Sequence, residues 1–95
     1  MAAYIIAEVE VTDPEGFQEY SRMVPETIQQ YGGRYLARGG RTELLEGDRE
    51  PKRMVIIEFD SFERARAWWA SEEYREAKAI RQRTSTGRLV LVEGV

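Results

Sequence analysis

The chain has 95 residues, of which 42% are hydrophobic and 33% charged, with a formal net charge of −3. That length suits one domain with a modest core, residues 1–95, and the acidic balance gives no electrostatic reason to approach nucleic acid or an acidic membrane. There is no cysteine and no histidine, which excludes disulfides, thiolate nucleophiles, zinc–thiolate sites, an imidazole base, a Ser-His triad and a haem held by a histidine of this chain.

Residues 3–11 alternate as a strand does, with Ile5, Ala7, Val9 and Val11 on one apolar face and Tyr4, Ile6, Glu8 and Glu10 on a mixed one. Asp13 or Thr12 caps a helix that Pro14 opens and that runs to about Tyr31. Phe17, Tyr20, Val24, Ile28 and Tyr31 recur at three, four, four and three and make one stripe. Pro25 lies inside it and removes one backbone donor, which predicts a kink near residues 22–24. Gly32 and Gly33 stop the helix. A short strand follows over 34–38, broken at Gly39-Gly40, with extended chain resuming over 42–46 and a turn-rich loop over 47–51.

The third strand is 53–59, with Met54, Ile56 and Glu58 on one face and Val55, Ile57 and Phe59 on the other. Ser61 caps the next helix, whose inward stripe reads as Phe62, Ala65 and Trp69, with Trp68 beside it. Ser71, followed by two glutamates, caps a further helix on which Ser71, Tyr74, Lys78 and Arg81 share a face. Residues 84–87 read as a loop and 88–93 as the last strand. No apolar run approaches the ~20 residues that span a bilayer. The N-terminus has no signal-peptide pattern. The chain reads as cytoplasmic, without a membrane or nucleic-acid partner.

The order β-α-β-β-α-β predicts an α+β, ferredoxin-like fold: a four-stranded antiparallel sheet with its helices on one face. On the other face Tyr4, Ile6, Met54, Ile56, Leu89 and Leu91 would be apolar. A bare apolar sheet is anomalous on a monomer, so the expectation is a homodimer packed sheet on sheet.

Several runs resemble the DUF1330 family of small, mostly bacterial proteins, a domain of unknown function. They are Tyr20, Pro25 and Tyr31-Gly32-Gly33-Arg34-Tyr35-Leu36-Ala37-Arg38-Gly39-Gly40, then Glu46-Gly47, Ala67-Trp68-Trp69-Ala70-Ser71-Glu72-Glu73-Tyr74, Arg81 and Val90-Leu91-Val92-Glu93-Gly94. Glu72 and Arg49 depart from the usual pattern, standing where a proline and an aromatic are frequent. The family is placed in the dimeric α+β barrel superfamily, so the resemblance implies that fold and a dimer, and no particular activity. Relatives in the superfamily include cofactor-free monooxygenases, lactone isomerases, haem-degrading enzymes and ligand-sensing domains; the haem branch relies on a histidine, which this chain lacks.

In such a fold a small organic ligand can sit between helices and sheet. The candidates to line that space are Tyr20, Arg38, Trp68, Trp69, Tyr74 and Arg81, with Tyr74, Arg81 and Arg38 as candidate catalytic groups: Tyr74 to donate a proton, the arginines to polarise an oxyanion. Aromatic walls with fixed cations suit a small organic acid or an enolisable aromatic ligand. The plainer reading makes the aromatics core and the arginines solvated. Strands one and three are expected as parallel neighbours, which sets Glu8 and Glu58 level on the open face as an acid–base pair needs; the favoured reading is that they pair with Arg34 or Arg38 of the adjoining strand at the dimer rim. No cofactor and no metal site are expected, since no Asp-x-Asp run is present. An RNA-recognition reading fails because strand three has one aromatic, a glutamate and no glycine. The functional expectation is a homodimer with a small-ligand pocket and oxygenase- or isomerase-like chemistry without a cofactor; the alternative is a binding, sensing or purely dimerising module.

Overall fold

The computed structural model describes residues 1–95. The elements are β1 (Ala3–Val11), α1 (Pro14–Gln30), β2 (Arg34–Arg38), β3 (Arg53–Phe59), α2 (Phe62–Trp69), α3 (Glu72–Thr84) and β4 (Ser85–Glu93). The strands form one antiparallel sheet in the order β2-β3-β1-β4, with the helices against one face. The expected α+β, ferredoxin-like architecture is present.

Capping follows the residue chemistry at all three helix starts. Asp13 accepts from Gly16 N at 3.2 Å, Ser61 from Arg64 N at 3.0 Å and Ser71 from Tyr74 N at 3.1 Å. Each satisfies a donor that the first turn leaves without a partner. The core is the inward parity of the strands closed by the helices: Ile5, Ala7, Val55, Ile57 and Phe59 below, Val24, Ile28, Ala65, Trp68, Tyr74 and Ala77 above. Aromatic rings run through it, Trp68 stacked on Tyr74 at 4.0 Å and Phe59 against Trp68 at 5.5 Å. The Trp68 indole N–H donates to Thr27 Oγ1 at 3.0 Å, which in turn donates to the Val24 carbonyl at 2.7 Å.

Four expectations change. Residues 42–46 are not a strand; the chain from 39 to 52 has no regular structure. The loop foreseen over 84–87 is absent: α3 runs to Thr84 and β4 begins at Ser85, with the Thr84 carbonyl accepting from the N–H groups of Thr12 and Asp13 at 2.9 and 3.1 Å. That junction fixes the parity of β4. Leu89 lies opposite Ala7 and Leu91 opposite Ile5, so both face the helices, and it is Val90 and Val92 that flank Ile6 and Tyr4 on the outer face. Finally, β1 and β3 are antiparallel, pairing Glu8 with Met54 and Tyr4 with Glu58. The two carboxylates therefore stand four residues apart along the ladder, about 13 Å, and cannot share a proton. Glu58 pairs with Arg34 instead, and Glu8 accepts from the Lys52 N–H at 3.1 Å.

Candidate functional site

α1 packs chiefly on α3, leaving a gap between it and the sheet. The gap is a cavity walled by Ile5, Ala7 and Val9 of β1, Phe17, Tyr20 and Val24 of α1, Tyr35 of β2, Val55 and Ile57 of β3, Trp68 and Leu89. Three arginines, Arg38, Arg53 and Arg81, also line it. None of them has a carboxylate partner: the ion pairs of the chain are Arg34–Glu58, Lys52–Glu10 and Arg75–Glu72. Three unneutralised cations around an apolar space create a positive potential that an anion relieves.

A β-bulge puts Arg38 there. Tyr35 lies opposite Ile57, and after a shift in register at Leu36, Arg38 lies opposite Val55. Ile57 and Val55 both face the helices, so the extra residue gives Tyr35 and Arg38 the same side although their numbers differ by an odd count. The Arg38 guanidinium lies over the Tyr35 ring at 4.5 Å, and its Nη2 donates to the Ser21 carbonyl at 2.9 Å. That carbonyl is the one Pro25 cannot reach with an N–H, so the proline inside the otherwise continuous α1 creates the acceptor that anchors Arg38. Arg53 lies over the Phe17 ring at 5.5 Å and packs on Gly39, where a Cβ would come within 2.8 Å of its Nε and where φ is +68°.

At the other end Arg81 Nε lies 3.2 Å from the Tyr74 hydroxyl, which lies 3.0 Å from the Tyr20 hydroxyl. Burial, and then Tyr74 beside it, push the Tyr20 phenol far above its ordinary value of 10.0, so it stays neutral. Tyr35 is also raised, chiefly by burial.

Of the residues singled out from sequence, Tyr20, Arg38, Trp68 and Arg81 meet at this cavity. Tyr74 stands behind Tyr20, fully buried, and does not itself line the cavity. Trp69 does not belong to it: it is 42% exposed, with Lys78 Nζ 4.0 Å from its ring centroid, and the inward tryptophan is Trp68. In an eight-residue helix both stand within a turn of Ala65, and periodicity alone does not separate them. Arg53 and Tyr35 were not foreseen. Arg53 shares the parity of Val55, Ile57 and Phe59, which is the signal that marks it as an inward arginine. No group of three or more carboxylates converges to hold a metal ion.

The family model described as domain of unknown function, DUF1330, matches residues 2–95. No curated protein matches the chain. Among solved structures it is similar to the RPA0582 protein of unknown function from Rhodopseudomonas palustris, at 19% identity and TM-score 0.78, over 99% of this chain and 82% of that one. It is similar to SnoaB, a cofactor-independent oxygenase from Streptomyces nogalater, at 13% identity and TM-score 0.66, over 99% and 93%. An antibiotic biosynthesis monooxygenase aligns at 16% identity and TM-score 0.55, over 100% and 99%. These likenesses speak to the fold.

Proposed function

The chain belongs to the DUF1330 family, whose description names no activity, and we propose from its own residues that it binds a small organic anion in the cavity between α1 and the sheet. The observation that carries this is the set of three arginines without carboxylate partners in an apolar lining. The apolar walls take a ring or short chain, and the guanidinium groups take a carboxylate, phenolate or enolate. With the side chains as they stand the free volume is about 30 Å³, room for one or two waters and well below the roughly 150 Å³ that admits a benzene ring. Arg38 is exposed and Arg53 half-buried, so these two long side chains are the movable cover, and a ligand enters by displacing them.

Residues 1–95 act as one domain and pair as a homodimer. Tyr4, Ile6, Met54, Ile56, Val90 and Val92 make the outer sheet face apolar, with Leu36 54%, Val90 44% and Val92 42% exposed. A second copy packed on that face buries it.

A catalytic reading stands second. The cavity lining has no carboxylate, imidazole or thiol, so no group in it accepts a proton at neutral pH. Chemistry of the cofactor-independent kind named for the SnoaB neighbour would therefore act on a ligand already ionised, with the arginines and the neutral Tyr20 stabilising its charge.

Calorimetry with benzoate and with its neutral methyl ester tests the reading. Benzoate should bind and the ester should not, and Arg53→Gln should weaken benzoate about tenfold, as expected for one lost charged contact. Equal binding of acid and ester, or binding of neither benzoate nor any simple phenolate, overturns it.

A further inference from the structure

We propose that Tyr20 is the hydrogen-bond donor the cavity offers to its ligand, aimed there by a one-way chain that runs from Arg81 through Tyr74. This rests on the anion-binding reading and narrows the ligand to one whose oxyanion, a phenolate or enolate oxygen, accepts from a phenol.

The direction follows from what each group can do. A guanidinium has donors and no acceptor, so across the 3.2 Å contact Arg81 Nε donates and the Tyr74 oxygen accepts. Tyr74 is 0% exposed, and the Tyr20 hydroxyl at 3.0 Å is its remaining side-chain partner. The Tyr74 proton must therefore go to the Tyr20 oxygen. The reverse order would leave a buried hydroxyl proton with no acceptor, which folded proteins avoid. Tyr20, having received a proton from Tyr74, keeps its own for another partner. Its hydroxyl bonds no other protein group, and its side chain lines the cavity. The free O–H is thus presented to whatever occupies that space. Each bond in such a chain polarises the next, so the charge of Arg81 strengthens Tyr20 as a donor. The raised phenol pKa of Tyr20, caused chiefly by burial, keeps the proton in place.

In this assignment Tyr20 touches the ligand. Tyr74, hidden behind it, is a positioning residue. The two neighbouring aromatics that fix the geometry are Trp68, stacked on the Tyr74 ring, and Phe17, whose ring centroid is 5.2 Å from that of Tyr20.

Two measurements on the full chain test it. With isotope-labelled tyrosine rings, proton NMR should find one slowly exchanging hydroxyl proton whose strongest cross-peaks are to the Tyr74 ring; assignment of that proton to the Tyr20 ring overturns the direction of the chain. Calorimetry with para-nitrophenolate, para-cyanophenolate and pentafluorophenolate should show affinity rising with the basicity of the oxyanion. Tyr20→Phe should flatten that dependence and cost the most basic probe about tenfold, the loss of one hydrogen bond to a charged group. Tyr74→Phe should lessen the slope while Tyr20 remains, which a purely structural role for Tyr74 would not do. A slope unaltered by Tyr20→Phe overturns the proposal even if the probes bind. Failure of every phenolate and of benzoate to bind the unmutated chain overturns the anion-binding reading itself, whichever ring holds the NMR proton.

Discussion

Pro25 and Arg38 come from different elements and meet at one atom, the Ser21 carbonyl, so their energetic coupling can be calculated and measured. Arg38→Ala removes the donor that reaches that carbonyl at 2.9 Å. Hydrogen bonds to charged groups contribute roughly 1.5–3 kcal/mol when buried. Here Arg38 is exposed and Ser21 half-buried, so water competes and the loss should be about 1 kcal/mol. Unfolding entropy of roughly 2.1 cal/mol/K per residue, over 95 residues, makes that about 5 °C in Tm. Pro25→Ala restores a backbone N–H at position 25, which takes the Ser21 carbonyl as an ordinary helical acceptor. In that background the contact Arg38 makes to Ser21 is redundant, and Arg38→Ala should cost a few tenths of a kcal/mol. The double-mutant cycle, read by urea denaturation or calorimetry, should show a coupling of about 0.5–1 kcal/mol. Additive effects of the two changes would refute the claim that the proline creates the acceptor that holds the arginine.

Thr27→Val should leave the buried Trp68 indole N–H without its partner and lower stability by about 1–3 kcal/mol, seen as a lower urea midpoint at unchanged m; no change would mean another acceptor is in reach. Ile56→Lys sets a charge in the middle of the outer sheet face, and ultracentrifugation should show the dimer dissociated, whereas a monomeric unmutated chain refutes sheet-on-sheet pairing. Tyr20 has a folded pKa raised above its unfolded value of 10.0, so its contribution is full below that value and is lost as pH rises beyond it. Tyr20→Phe should accordingly flatten the alkaline limb of the stability curve, and an unchanged limb would contradict the buried neutral phenol.

The fold was readable because strand parity and helix caps are local chemistry. Ile5, Ala7 and Val9, the serines at 61 and 71 and the aspartate at 13 each do what their pattern implies. The site was readable only in part, since its assembly depends on events that leave no local mark. The bulge at Leu36 reverses the side on which Arg38 emerges. The direct passage from Thr84 to Ser85 turns Leu89 and Leu91 inward. The choice between Trp68 and Trp69 is decided by where the short α2 meets β1 and β4, which spacing within the helix cannot express. The antiparallel pairing of β1 with β3 followed from the topology itself, and taking them as parallel created a carboxylate pair that the register dissolves.

The place of β1 in the sheet has a consequence for biosynthesis. This strand lies inside the sheet, and both of its partners, β3 and β4, follow it in the chain. Its final rung joins Ala3 to Glu93. A growing chain therefore carries β1 with both edges open until β3 emerges, and with one edge open until β4 does. Pairings of such long sequence separation form slowly, and an open apolar edge is a template for other chains. A premature stop before β4 would not shorten the protein harmlessly; it would turn the interior strand β1 into an adhesive edge.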